Sequence, residues 1–515
     1  MTGPAGRWLD TARRDADWSR VHAVVAGLGV SGFAAADALQ HLGARVTVVD
    51  DRAGGAERDG DGHGGGPGRD GDHRAGGAGR DDDDDDDDDK ATLLEILGVD
   101  VRRGPGASHT LPSDVDVLVT SPGWLPEAPV FSTAAARGIP VWGEVELAWR
   151  LRDPEAAAPW LCLTGTNGKT TTVRMLEAML LADGLNAVAG GNVGRPMCEI
   201  VMNPDPFDVV AVELSSHQLH WMTSLSAEAA AVLNVAPDHI SWHGGLERYA
   251  AAKASIYQRC QLACVYNVDD PATLHMVEEA EVVEGCRAIG FTLGIPSVGM
   301  VGVVDGVLAD RAFIEGRDRN AAEIASVSDV PTGAPHNVSN ALAAAALARA
   351  HGVSLGAVRR GLRSFELDRH RIALVDTIDE VSYVDDSKAT NPHAAEASLS
   401  AFDSSVWIAG GLAKGASFDE LVVAVRGRLR GVVLLGADRD DIASALGRHA
   451  PDVPVISLGD TDTGVMERAV VTAASLATPG DTVLLAPACA SQDLFVDYSA
   501  RGDAFAAAVR RLRTR

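Results

Sequence analysis

The chain has 515 residues, 46% of them hydrophobic, and a formal net charge of −27. Its length asks for about three domains at roughly 100–200 residues each, and its acidity argues against nucleic acid as the main partner, because a phosphate backbone needs a basic surface. No run approaches the ~18 unbroken apolar residues of a membrane span. The N-terminus has no apolar core of a secretory signal, and six cysteines scattered at 162, 198, 260, 264, 286 and 489, without a metal-ligand spacing, read as reduced thiols of a cytoplasmic enzyme.

Residues 21–50 read as a strand, the turn Gly27-Leu28-Gly29-Val30-Ser31-Gly32, a helix, and a strand ending in Asp50. That context predicts a pyrophosphate-bearing nucleotide at the helix N-terminus, and leaves NAD and a UDP-sugar both open. Residues 52–90 are Gly, Asp and Arg with almost no apolar side chain; residues 51–90 hold 15 acidic against 6 basic groups and include nine consecutive aspartates. Such a stretch cannot offset the entropy of ordering and predicts a disordered insertion. Its Asp run reads either as solvated surface or as a binder of Ca²⁺ or a basic partner. Residues 114–143 give a strand, the turn Ser121-Pro122-Gly123, a helix and a further strand, closing a first α/β domain over 1–148. The Glu144–Arg150 helix and Asp153-Pro154 lead into a second domain, 149–365.

That domain opens on Leu161-Cys162-Leu163-Thr164-Gly165-Thr166-Asn167-Gly168-Lys169-Thr170-Thr171-Thr172. An apolar strand, a small-residue turn and Lys-Thr at a helix start are the parts of a phosphate loop: backbone N–H groups and the helix N-terminus face phosphate oxygens, Lys169 adds a charge, and Thr170 a hydroxyl for Mg²⁺. The pattern is a variant, because Leu163 stands where a glycine is usual. Downstream, a glycine turn carries Asn192, and the β-rich run 208–216 ends in Glu213, where a nucleotide-bound Mg²⁺ finds a second protein ligand. A buried strand then opens into a polar loop with Asp238, His239 and His243. Lys253 sits in a helix of small apolar residues, either as a surface lysine or as a desolvated amine, which loses its proton more easily and can react with CO₂. Pro335-His336-Asn337-Val338-Ser339-Asn340 is expected to form a turn capping an Ala-rich helix, its two Asn side chains either contacting a base or capping the helix. A third domain, 366–515, has a strand ending at Asp385-Asp386 before Ser387-Lys388-Ala389-Thr390-Asn391-Pro392, then Gly410, Gly411 and Lys414 after another strand, and two more strands. Strand–helix alternation predicts a parallel, doubly wound sheet with ligands at the strand C-termini.

Together, in order, T-G-T-N-G-K-T, E-L-S-S, N-V-x-x-D-H, Y-x-x-A-K, H-N-x-x-N and H-R resemble the Mur ligases, the ATP-dependent amino-acid-adding enzymes of peptidoglycan synthesis, over nearly everything but the first twenty residues and 52–90. After Asp238-His239-Ile240 the family usually has another Asp, where this chain has Ser241 and Trp242. The resemblance implies three α/β domains: a Rossmann-like N-terminal domain, a central phosphate-loop ATPase-like domain and a Rossmann-like C-terminal domain. It implies ATP and two Mg²⁺ as cofactors, an acyl-phosphate intermediate, a monomer, and closure of the third domain onto the second. The stretch Asp386–Asn391 and Ala488-Cys489-Ala490-Ser491 are similar to the branch that adds D-glutamate to UDP-MurNAc-L-Ala. By resemblance, Lys169, His239, Lys253 and Lys388 are catalytic. Gly165, Thr166, Asn167, Gly168, Lys169, Thr170, Thr171, Asn337, Asn340, Arg371 and Asp386 bind ATP. Gly29, Val30, Ser31, Asp50, Arg52, Ser121, Gly123, Asn192 and His239 bind the UDP-sugar, and Lys388, Thr390, Lys414, Ser491 and Tyr498 bind D-glutamate. Thr170, Glu213, His239 and a carbamylated Lys253 hold metal. Folylpolyglutamate synthase is the enzyme rival, disfavoured because it lacks the domain that residues 21–50 begin; a nucleotide-sensing protein without chemistry leaves Lys253, His239 and 386–391 without a reason to co-occur.

Overall fold

The computed structural model describes residues 9, 11, 13–52, 81–153, 155–366, 369–459 and 464–513. Short apolar runs between glycine turns form three sheets. The first comprises β1 (His22–Ala26), β2 (Arg45–Asp50), β3 (Asp100–Arg103), β4 (Val117–Thr120) and β5 (Val141–Gly143), all parallel, in the order 3-2-1-4-5. The second comprises β6 (Trp160–Thr164), β7 (Ala187–Gly191), β8 (Val209–Glu213), β9 (Ala229–Val232), β10 (Ala263–Asn267), β11 (Arg287–Phe291), β12 (Met300–Val304), β13 (Val307–Asp310) and β14 (Ala322–Ser326), in the order 14-13-12-11-10-9-6-8-7. Its last two pairings, β12–β13 and β13–β14, are antiparallel. The third comprises β15 (Ala373–Ile378), β16 (Val381–Asp385), β17 (Ser405–Gly410), β18 (Leu429–Leu435), β19 (Val455–Ser457) and β20 (Thr482–Leu485), in the order 15-16-20-17-18-19.

The third sheet departs from the all-parallel expectation at its edge: β15 runs antiparallel to β16 through a two-residue turn, with Asp379 at φ 49° and Glu380 at φ 63°. Both central residues are left-handed, as a type I′ hairpin requires; Asp379 suits the first place, but Glu380 stands where Gly would announce the turn. Two further expectations are corrected. The segment 335–340 is no turn; Pro335 occupies the first helical position of Pro335–His351, so Asn337 and Asn340 project from its first turns. The expected disorder does not extend to Lys90, because Asp81–Ile96 is helical. Carboxylates suit the positive end of a helix dipole, and Asp87 is buried between Arg52 at 2.8 Å and Lys90 at 3.5 Å. Residues 53–80 of that expected insertion lie outside the described residues.

One apolar core runs through the first two sheets, joining Leu39 and Val48 to Trp160 and Val212. Glu146 sits at this junction with no exposure and accepts from the backbone and hydroxyls of Thr223 and Ser224 at 2.7–3.1 Å, with Arg150 at 2.7 Å. The third sheet has separate cores on its two faces. The phosphate-loop helix Lys169–Ala182 is pressed by the helix Leu355–Ser364 at Gly361, where a Cβ would stand 2.6 Å from Met179 Cα. Backbone cannot yield as a side-chain tip can. Gly361→Ala is therefore expected to destabilise the protein by about 1–3 kcal/mol, read as a lowered thermal midpoint; an unchanged midpoint would show that these helices are not in close contact.

Candidate active site

The loop leaves β6 at a point where neighbouring connections diverge, β8 on one side and β9 on the other, which is where open α/β sheets bind ligands. Gly168 takes φ 82° and caps the helix that starts at Lys169; a Cβ there would meet Asn340 Oδ1 at 2.3 Å. The loop is braced from behind. Thr166 Oγ1 accepts from Ala236 N at 2.9 Å and lies 2.9 Å from the Tyr249 hydroxyl, and Asn167 N donates to Asn234 Oδ1 at 2.9 Å. Lys169 Nζ folds back to donate to the carbonyls of Gly165 at 3.0 Å and Thr166 at 2.9 Å. Lys253, 1% exposed, donates to the same Gly165 oxygen at 2.8 Å. Burial lowers the pKa of both ammonium groups; Lys169 pushes Lys253 further, to well below the ordinary lysine range, while Glu213 and Asp238 partly support Lys169.

Glu213, at the end of β8, is buried; its Oε1 accepts from Asn192 at 2.8 Å, and its Oε2 has no hydrogen-bond partner. A buried carboxylate oxygen left so is costly unless a ligand meets it. His239 stands at φ 51°, a strained position for a non-glycine residue, with Nε2 3.6 Å from Asp238 Oδ2. A ring cluster that sequence reasoning missed surrounds it. His217 packs edge-on to His239 at 4.6 Å and to Trp242 at 4.4 Å, and His243 bonds to Ser216 Oγ at 3.0 Å. Burial depresses His217 to about 3 and His243 to about 4, and lowers His239, so these imidazoles are neutral near pH 7. Trp242, which follows Ser241 at the place of the absent Asp, is buried and donates to Trp124 O at 3.1 Å, tying this loop to the first sheet.

A cleft of about 770 Å³ gathers Thr166 to Thr171, Asn192, Glu213, Asp238 and His239 with Asn337, Asn340, Arg371, Asp386, Lys388 and Thr390. Gly165 and Lys253 are not among the residues that line it. The third sheet's side reaches the loop directly: Asn391 Nδ2 donates to Asn167 Oδ1 at 3.1 Å, and His393, not anticipated, contacts Asn167 Nδ2 at 2.9 Å. Asp386 is buried, accepts from Ser398 Oγ and from Ile372 N at 3.3 Å, and is raised by burial to about 6. Lys388 Nζ stands 3.9 Å over the Tyr498 ring. Lys414, at φ 50°, is near enough to His239 to help hold its pKa down. Ser491 is buried, and neither it nor Lys414 nor Tyr498 lines the cleft.

The expected UDP-sugar residues of the first sheet also stay outside the cleft. Gly29 caps Val30–His41, leaving Val30 exposed; Ser121 Oγ lies 3.4 Å from Gly27 O, beside the turn that holds Gly123. Asp50 and Arg52 are engaged with each other at 2.7 Å; Asp50 Oδ2 also accepts from Leu28 N at 2.8 Å, and Arg52 reaches Asp87. Asp50 thereby holds the glycine turn in shape as well as facing the helix N-terminus.

A phosphate loop on a parallel sheet, a buried carboxylate at the neighbouring strand end, and a second α/β unit closing over both define a nucleotide-using enzyme of three α/β units. Residues 163–348 match the Mur ligase middle domain and 370–489 the Mur ligase glutamate ligase domain. The chain is 56% identical to UDP-N-acetylmuramoylalanine–D-glutamate ligase of Streptomyces avermitilis over 96% of this chain and 99% of the relative, and 57% identical to that of Streptomyces coelicolor over the same shares. Its fold resembles UDP-N-acetylmuramate-alanine ligase from Thermotoga maritima, with a TM-score of 0.53, 16% identity, and 96% and 99% of the two chains covered. The chain belongs to the Mur ligase family.

The Asp386 carboxyl binds its proton more tightly folded, near 6, than at its ordinary 3.8. Its contribution to stability is therefore full below pH ~4 and is lost as pH rises through ~6, at most about 3 kcal/mol for a shift of this size. Asp386→Asn should remove that loss. Thermal midpoints of variant and wild type without nucleotide are expected to diverge between pH 4.5 and 7.5 in the variant's favour; a constant offset would contradict the burial account.

Proposed function

We propose that the protein is an ATP-dependent ligase that joins D-glutamate to UDP-N-acetylmuramoyl-L-alanine in peptidoglycan synthesis, working as a cytoplasmic monomer. The reading is carried by one observation: the phosphate loop, Glu213 and His239 meet Asp386, Lys388 and Thr390 across a single cleft, with buried Lys253 bonded to the loop at Gly165 O, in a chain over half identical to D-glutamate ligases. Among the described residues, no helix is long and apolar enough to cross a membrane.

The chemistry has two steps. A carboxylate oxygen of the acceptor's alanine attacks the γ-phosphorus of ATP, and ADP leaves, giving an acyl phosphate. The amine of D-glutamate then attacks the acyl carbon, phosphate leaves, and the nitrogen loses a proton. The first step brings an anion to a triphosphate, so it depends on positioning and fixed positive charge. Loop amides from Gly165 to Thr171 and Lys169 take the β- and γ-phosphates, which would draw Lys169 off the loop carbonyls it now occupies. Asn337, Asn340, Arg371 and Asp386 form the nucleotide side of the cleft. Gly29, Val30, Ser31, Asp50, Arg52, Ser121 and Gly123 hold the uridine diphosphate, with Asn192 and His239 nearer the reacting end. Lys388, Thr390, Lys414, Ser491 and Tyr498 hold the D-glutamate dianion. The Asn167–Asn391–His393 contact is one that closure over the reacting phosphoryl would use, excluding water from the acyl phosphate.

The donor set fits Mg²⁺. Glu213 presents a buried oxygen without a partner, Thr170 lines the same cleft from the first turn of its helix, and His239 is held neutral, as a metal-binding imidazole must be. Lys253 as an ammonium fits no metal, but a proton-poor amine can take up CO₂ and become an anionic carbamate. Thr170 and Glu213 would then hold one Mg²⁺, and His239 and carbamylated Lys253 a second, supplying positive charge at the phosphates and the carboxylate.

Phosphate release from ATP with UDP-MurNAc-L-Ala should require D-glutamate and fall to background with L-glutamate, L-lysine or meso-diaminopimelate; release with meso-diaminopimelate instead would reassign the substrate. Lys253→Ala should lose at least a hundredfold in kcat and recover part of it with short-chain carboxylic acids. Activity like wild type would sink the carbamate assignment while leaving the ligase reading standing.

A further inference from the structure

The sequence scatters its cysteines, but the fold gathers three of them. Cys260 follows the end of the Leu246–Ala254 helix, Cys264 lies on β10, and Cys286 precedes β11. Their sulfurs all lie within 4.8 Å of one another, and the Cys264 and Cys286 sulfurs are 3.8 Å apart. The backbone fixes this arrangement: Val283 N donates to Cys260 O at 3.0 Å, Cys286 N to Val283 O at 3.0 Å, and Arg287 N to Leu262 O at 3.0 Å. None of the three lines the nucleotide cleft.

We propose that Cys260, Cys264 and Cys286 form a binding site for one thiophilic d¹⁰ metal ion, Zn²⁺ or Cu⁺. Three thiolates each about 2.3 Å from a shared ion stand roughly 3.8–4.0 Å from one another, close to the spacing present. Soft sulfur ligands select these ions over Mg²⁺ or Ca²⁺. Cys260 and Cys264 are buried and Cys286 is half-buried, so entry is from the Cys286 side. Among the described residues no fourth Cys, His, Asp or Glu joins the cluster; Cu⁺ would be trigonal, and Zn²⁺ would take a water on the open side. Binding displaces the thiol protons to solvent, including the one Cys260 now donates to Ala263 O at 3.2 Å. A Cys264–Cys286 disulfide is the competing chemistry. Cys264 pairs with Ala288, so Cys286 is offset by two residues; at strand spacings that sets the Cα atoms on the order of 8 Å apart, beyond the usual reach of a disulfide.

The test uses the full-length protein, reduced with a phosphine, desalted, incubated with Zn²⁺ in one arm and Cu⁺ in the other, and desalted again. Wild type is expected to retain about one ion per chain more than Cys286→Ser or Cys264→Ala in at least one arm. That ion should raise the thermal midpoint of wild type but not of Cys286→Ser, whose half-buried position spares the fold. Equal retention by wild type and both variants in both arms overturns the proposal. So does a loss of two hydrogens in the mass of metal-treated wild type with no ion retained, which would make the cluster a disulfide pair. Neither outcome bears on ligase activity, which rests on other residues.

Discussion

Two lysines share one carbonyl oxygen. Lys169 and Lys253 come from different helices and converge on Gly165 O at 3.0 and 2.8 Å, in a site where burial already disfavours charge. Two like charges held this close in a poorly solvated place repel by several kcal/mol, and the carbonyl dipole offsets only part of that. The arrangement is relieved in two ways: an anion arrives to take one ammonium, or the other gives up its charge. The proposed cycle uses both, with phosphate for Lys169 and carbon dioxide for Lys253. The loop is thus poised for an anion by the residues that surround it, before any substrate is bound.

Packing divides the molecule in a way that suits this chemistry. The first two sheets share a core, and the buried Glu146 is saturated by donors from the second unit. The surfaces proposed for the UDP-sugar and for ATP are therefore fixed relative to each other, as a reaction between the two requires. The third sheet keeps cores of its own and meets the phosphate loop through polar side chains, Asn391 and His393. Polar contacts exchange with water at little cost, whereas a shared apolar core does not. The closure proposed for the third unit rests on that difference.

How much of this was legible depended on how local each signal is. The phosphate loop, Glu213 at a strand end and Lys253 among alanines follow from residues adjacent in sequence, and each stands where the pattern places it. Asn337 and Asn340 are expected in a turn that caps the Ala-rich helix, but Pro335 suits the first helical position and the helix begins there instead. The His217–His239–Trp242 cluster and the Cys260–Cys264–Cys286 triangle join segments from separate strands and loops. No spacing rule reaches them, since their proximity is a property of strand order. The β15–β16 hairpin was invisible for the opposite reason: its turn has Glu380 where the recognisable residue after Asp379 would be Gly.

The net charge of −27 runs against a set of proposed substrates that are all anions. Screening resolves the conflict. Beyond about 8 Å at physiological ionic strength, exposed acidic groups contribute little, whereas Lys169, Arg371 and Lys388 converge on the cleft. Of the acidic groups that face it, Glu213 has a buried oxygen without a hydrogen-bond partner and Asp386 is raised by burial to about 6, whereas Asp238, Asp269 and Asp270 also line it, with Asp270 accepting from Val235 N and Asp269 from Leu293 N. The neutral histidines around His239 add bulk and exclude water without adding charge. Local field and global charge are therefore separable here, and the strained backbone at His370, Ile372, Lys414 and Ala488, with φ between 45° and 65°, marks where the third unit's loops are bent to present their groups to that field.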